Sequence, residues 1–197
     1  MLTAPSAVAS EVTGGTMLEH FPKEFTLDDG TIVSVRPLTS GDGEALLHFF
    51  QQIPEKERYW LKEDVSDPAV ISRWMAELDY QRVLPLIAEK GGQILADATL
   101  HRRDYGARSL LGEIRVVVTT PYRRRGLGLA MVAELVEIAE AAGLRRLFVE
   151  VISGIEQPAA EVAEQVGFQR VAVIPDHLTE PDGRPHDLIV LALPLGE

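Results

Sequence analysis

Two rhythms of apolar and polar residues divide the chain. Runs of strand length, alternating or continuously apolar, occur at 32–35, 83–88, 94–100, 111–118, 147–152, 171–174 and 188–193. Between them apolar residues recur at helical spacing: Leu46, Leu47, Phe49 and Phe50; then Val70, Ile71, Trp74, Met75 and Leu78; then Leu129, Val132, Leu135, Val136 and Ala139. A shorter helix is expected over 158–165. Pro37 stops the first strand, Thr39 or Ser40 can cap the first helix, and Pro54 ends it. Asp67-Pro68 opens the second helix with a cap and a first-turn proline. Glu89-Lys90-Gly91-Gly92 reads as a hairpin turn, Leu27-Asp28-Asp29-Gly30-Thr31 as a turn between two short extended pieces, and Gly143 as the C-cap of the 127–142 helix.

The resulting order is strand, helices, three strands, helix, strand, helix and two strands. That is a mixed α/β (α+β) fold of about seven strands flanked by helices. The helix between 118 and 147 joins two strands as a β-α-β unit, so these predicted strands four and five are parallel neighbours, and hairpins make the rest antiparallel. Residues 1–21 are small and polar without a period and read as a flexible tail; 22–197 reads as a single domain.

Composition removes whole classes of chemistry. There is no cysteine, so disulfides, thiolate metal sites and acyl-cysteine intermediates are excluded. Thirty acidic against nineteen basic residues give a formal net charge of −11, which disfavours nucleic acid and helps to attract a cationic amine. No apolar run approaches the roughly 18 residues of a membrane span, and the first residues lack a signal-peptide pattern. The expectation is a cytoplasmic protein with no nucleic-acid or membrane partner, with pairing into a homodimer left open.

One polar stretch stands apart. Arg123-Arg124-Arg125-Gly126-Leu127-Gly128 lies between the 111–118 strand and the 127–142 helix. Backbone N–H groups of such a loop, joined by the positive end of a helix dipole, converge on an anion. Glycine lets phosphate oxygens reach the backbone. The run lacks the G-x-x-x-x-G-K-[ST] of nucleotide triphosphatases, and a G-x-G-x-x-G dinucleotide fingerprint fails at Met131. It does fit [Q/R]-x-x-G-x-[G/A] through Arg123, Gly126 and Gly128. With Val118-Thr119-Thr120-Pro121-Tyr122 before it and Val166-Gly167-Phe168 after the later helix, the chain resembles the GNAT acetyltransferases from about Thr31 to Leu193. The stretches Asp29-Gly30-Thr31 and Val35-Arg36-Pro37-Leu38 also resemble the GNAT domain of bacterial protein-lysine acetyltransferases.

That resemblance implies a GNAT acyl-CoA acyltransferase fold in which predicted strands four and five splay apart. Amides of Arg124, Arg125, Gly126, Leu127 and Gly128, with Arg123, would hold the pyrophosphate of acetyl-CoA, the cosubstrate. The backbone of Val116 to Val118 would hold the pantetheine, and Gln157 could bond to it. No metal is expected: Asp176-His177 and His186-Asp187 are not metal motifs. The acceptor would be a primary amine, either a small molecule or a protein lysine, attacked directly in a ternary complex.

Proton transfer needs a base, and Glu113, early in the fourth predicted strand, is the candidate; an exposed strand-end glutamate is the plain alternative. The tyrosine that often serves GNATs as general acid has its counterpart at Ala163. Tyr122, His177 and His186 are weaker candidates, and Trp60 and Trp74 suit a core or pocket wall. A non-catalytic acyl-CoA-binding module on the same fold therefore stands as the rival reading, with a nucleotide-binding protein as a third.

Overall fold

The computed structural model describes residues 18–196. Its strands form one sheet in the order β1-β2-β3-β4-β5-β6-β8-β7. The first hairpin joins β1 (Lys23–Thr26) to β2 (Ile32–Pro37). Three helices follow: α1 (Gly43–Gln51), α2 (Glu55–Arg58) and α3 (Pro68–Ala76). The meander β3 (Val83–Lys90), β4 (Gln93–Arg102) and β5 (Leu111–Val118) comes next. Helix α4 (Leu127–Ala141) crosses to β6 (Arg146–Ile152), and α5 (Gln157–Val166) leads into the hairpin β7 (Gln169–Thr179) and β8 (Pro185–Pro194). All neighbours are antiparallel except β5 and β6.

The expected mixed sheet is therefore present, with eight strands in place of seven. Both short pieces around Asp28–Gly30 pair as a ladder, Lys23 opposite Val35 to Thr26 opposite Ile32. The extra strand is anchored from a distance, because Lys23 pairs with the buried carboxylate of Glu134 on α4. Most of the expected tail, residues 1–17, lies outside the described residues; Leu18 and Phe21 rest against the core.

Two apolar layers cover the sheet. Side chains alternate across a strand, so Ile114 of β5 and Leu147, Val149 and Val151 of β6 face Leu127, Met131, Leu135 and Ala139 of α4. On the other face, Ile87 and Val117 meet Leu46, Phe49 and Phe50 of α1 and Ile71 of α3. Asp67 caps α3 by accepting from the Ala69 N–H at 2.8 Å, with Pro68 in the first turn as its sequence predicts. The sheet thus divides the molecule into an α4–α5 side and an α1–α3 side.

Candidate functional site

The parallel pair β5 and β6 stays together for only three residues: Leu111 with Arg146, Gly112 with Leu147, and Glu113 with Phe148. Beyond Glu113 the strands part. Each arm keeps its outer partner, since β4 follows β5 to Val118 and β8 follows β6 to Ile152. The gap is consequently a V whose inner edges carry backbone groups with no ladder partner among the described residues. Gly112 explains the tight vertex. A Cβ there would lie 2.7 Å from Leu147 Cδ2 and 2.9 Å from Leu100 Cδ1, so no larger residue fits without displacing the core.

At the mouth of the V, the chain leaves β5 through a 3-10 turn at Thr120–Tyr122 and enters α4. Arg124 (φ 57°) and Gly126 (φ 81°) both adopt left-handed backbone. A Cβ on Gly126 would also sit 3.1 Å from Asp28 Oδ1. Among the described residues, the N–H groups of Arg124, Arg125, Gly126, Leu127 and Gly128 have no backbone acceptor, and Gly126 provides no side-chain cap. Five donors at a helix N-terminus with no internal partner fit a bound diphosphate.

The three arginine side chains divide the work unevenly. Arg123 donates from Nε to the Val118 carbonyl at 2.7 Å and from Nη2 to Glu57 at 2.6 Å, clamping the loop between β5 and α2. Arg125 pairs with Asp29 and lies over the Tyr122 ring. Arg124 is exposed and makes no ion pair among the described residues, so its guanidinium is the one directed to solvent. Leu127 is buried, leaving only its backbone for a ligand. Val116 and Val118 turn their side chains toward the α4 layer. Gln157 begins α5 after the C-terminal end of β6, exposed, with Nε2 3.5 Å from Glu161 Oε1.

On the α1–α3 face, polar side chains converge along alternate positions: Asp97, Thr99 and His101 of β4, Glu113 and Arg115 of β5, and Glu150 of β6. His101 stands directly opposite Glu113, and Asp97 opposite Val117. Glu113 accepts from Arg115 Nε and from Lys62 Nζ, each at 2.8 Å. Lys62 Nζ also reaches Glu150 at 3.3 Å. Burial pushes the Glu113 carboxyl up, but the hydrogen bonds and charges of Arg115 and Lys62 outweigh it and bring the pKa down to about 2. His101 is lowered to about 4 by burial and by the Arg115 charge, so its imidazole is neutral at pH 7; its Nε2 lies 3.0 Å from the Thr99 hydroxyl. Asp97 is 8 % exposed, one of its oxygens has no partner among the described residues, and burial raises its pKa to about 7.

The rim of this face comes from α2 and the last hairpin. The Tyr59 hydroxyl donates to the Thr179 carbonyl at 2.9 Å, and Trp60 packs edge-on against His186, whose Nε2 lies 2.7 Å from Glu180. His177 is exposed on β7 beside Asp176, a left-handed residue in an irregular stretch of the β7–β8 ladder. Trp74 packs on Phe50 in the core of the α1–α3 layer. Ala163 is buried in the α5 layer and brings no titratable group. Among the described residues no cluster of three or more metal-ligating side chains exists, and no helix is long and apolar enough to cross a membrane.

Glu113 and the loop were visible as candidates in the sequence. Lys62, Asp97, His101, Arg115 and Glu150 were not. For Asp97, His101 and Arg115 the available signal was polar residues at every second position in otherwise apolar strands, as at 97, 99, 101 and again at 113 and 115; Lys62 and Glu150 carried none.

Residues 46–168, carrying the V and the loop, match the model of the Acetyltransferase (GNAT) family. The chain belongs to that family. Over 80 residues this GNAT chain is 31% identical to the [Ribosomal protein bS18]-alanine N-acetyltransferase of Escherichia coli K12, covering 41% of the chain and 53% of that protein. It therefore spans about half the length of the curated relatives it matches. Its fold is similar to the GNAT domain of S. lividans PAT, with a TM-score of 0.72, 22% identity, and coverage of 89% of this chain and 98% of that one. It is also similar to yncA, a putative acetyltransferase from Salmonella typhimurium solved with its cofactor acetyl-CoA (TM-score 0.70, 19% identity, 84% and 95% covered).

Proposed function

We propose that this GNAT chain is an N-acetyltransferase that moves an acetyl group from acetyl-CoA to a primary amine, by direct transfer within a ternary complex in the cytoplasm. The observation that supports this most is the opening between β5 and β6, with unpartnered loop amides at its mouth and a carboxylate at its vertex. The amides of Arg124 to Gly128 would hold the diphosphate, with the Arg124 side chain free to add charge. The inner edge of β5 from Val116 to Val118 would hydrogen-bond the pantetheine, and a backbone N–H there would steady the tetrahedral oxygen. Gln157 would close the β6 side. Acetyl-CoA supplies the activated acyl group; the chain supplies position, charge and a path for the proton.

Glu113 is the proposed catalytic residue, in a specific sense. With its pKa near 2 it stays charged at neutral pH and stores no proton. It attracts the acceptor ammonium and orients the water that carries the proton away. The acceptor is a small amine or a protein lysine. Glu113 and Glu150 already hold one primary ammonium of the chain, that of Lys62, which supports a cationic amine as the group they receive.

Two measurements test this. Acetyl-CoA should raise the melting temperature, and purified chain should release free CoA thiol with some member of a panel of amines and lysine peptides. Protection without release would leave the non-catalytic acyl-CoA-binding module, which Ala163 favours. Protection by ATP or NAD in place of CoA would overturn the donor assignment.

A further inference from the structure

Lys62 occupies an unusual position. It follows α2 on the α1–α3 side, and its ammonium spans the V: Glu113 stands at the vertex on β5, and Glu150 lies on β6 two residues past the last paired position. A primary ammonium belonging to the chain itself thus rests on the carboxylate assigned to the acceptor. Its side chain is half exposed, so it can shift within the gap. The remaining lysines are elsewhere: Lys23 is paired with Glu134, and Lys56 and Lys90 are exposed.

Resting on the acetyl-CoA reading above, we propose that Lys62 is an internal acceptor, acetylated by its own chain. The ammonium first loses a proton to water at Glu113. The Nζ lone pair then attacks the acetyl carbonyl carbon; an N–C bond forms, the C–S bond breaks, and CoA leaves as the thiolate. The second proton lost from nitrogen goes to solvent or to that thiolate. Modification removes the positive charge from Lys62, so Glu113 keeps Arg115 as its cationic partner and Glu150 loses its own. Self-acetylation therefore frees Glu150, and one of the two cation positions on Glu113, for an external amine.

The test is to incubate the full chain with acetyl-CoA, without added amine, and to quantify acetylation of each lysine by peptide mass spectrometry. Tethering raises the local concentration of the nucleophile, so Lys62 should be modified about tenfold faster than Lys56 or Lys90, or more. Its rate should not depend on protein concentration, and Gly128→Val should bring it down to the background of the two exposed lysines. Lys62→Arg should leave only that background. Equal rates at Lys62, Lys56 and Lys90, or a Lys62 rate unchanged in Gly128→Val, overturn the proposal. If acetyl-CoA protects the fold in thermal melts while Lys62 stays unmodified, this inference alone fails. If acetyl-CoA gives no protection, the donor assignment fails and this inference falls with it.

Discussion

Asp97 and Glu113 are carboxylates on one face of the sheet, and their surroundings drive them in opposite directions. Glu113 has two cations within hydrogen-bond reach; Asp97 has burial and no ion pair among the described residues. For Asp97 the folded pKa, about 7, lies above its ordinary value of 3.8. Between those limits the unfolded chain has released the proton while the folded chain still holds it, so this group costs stability as pH rises through that window. The cost is on the order of 4 kcal/mol at pH 8. Asp97→Asn should therefore unfold at higher urea than the parent at pH 8, with the gap closing toward pH 4; a gap independent of pH would rule out this origin. Glu113→Gln removes the charge but keeps the shape. It should lower turnover by about 10² or more while acetyl-CoA protection stays unchanged, because acceptor attraction and proton handling are lost and the donor contacts are not. Equal turnover would remove Glu113 from the chemistry.

At the scale of elements, two glycines separate folding from binding. Gly112 is packed against Leu147, Leu100 and Leu144, so Gly112→Ala should destabilise by about 1–3 kcal/mol in denaturant titrations, as overpacking does. Gly128 sits in the first turn of α4, where an added Cβ would meet only Val118 Cγ2 at 3.7 Å. Gly128→Val should fold with near-parent stability and bind acetyl-CoA at least about tenfold more weakly, since its bulk projects where oxygens must approach the amides. Most elements were readable from local pattern: α3 from Asp67-Pro68, α4 from its apolar spacing, the loop from its glycines. Strand β1 was legible only as a short extended piece before the Asp29-Gly30 turn, not counted among the strands, and helix α2 was not legible. Four residues carry too little periodicity, and what holds them is remote: Glu134 for Lys23 of β1, Arg123 for Glu57 of α2.

Across the whole molecule the same divide holds for the site. Its proposed donor half, Gln157 apart, lies on one continuous stretch, 111–128, so local motif reading could find it. Its proposed acceptor half draws Lys62, Asp97, His101, Glu113 and Glu150 from separate segments that meet only once the sheet forms, and no spacing along the chain encodes that meeting. The proton affinities of Asp97, His101 and Glu113 are set by the same assembly: nothing adjacent to Glu113 in sequence announces Lys62, 51 residues away.

The early parting of β5 and β6 has a consequence for deuterium uptake. Amides on the inner edge of β5 past Glu113, and those of 124–128, lack backbone acceptors among the described residues and should exchange within seconds in the free chain, while amides bonded to β4 stay protected. Adding CoA should slow that first group selectively and leave the β7–β8 hairpin unchanged. Such a footprint would outline the donor's seat residue by residue before any acceptor is known.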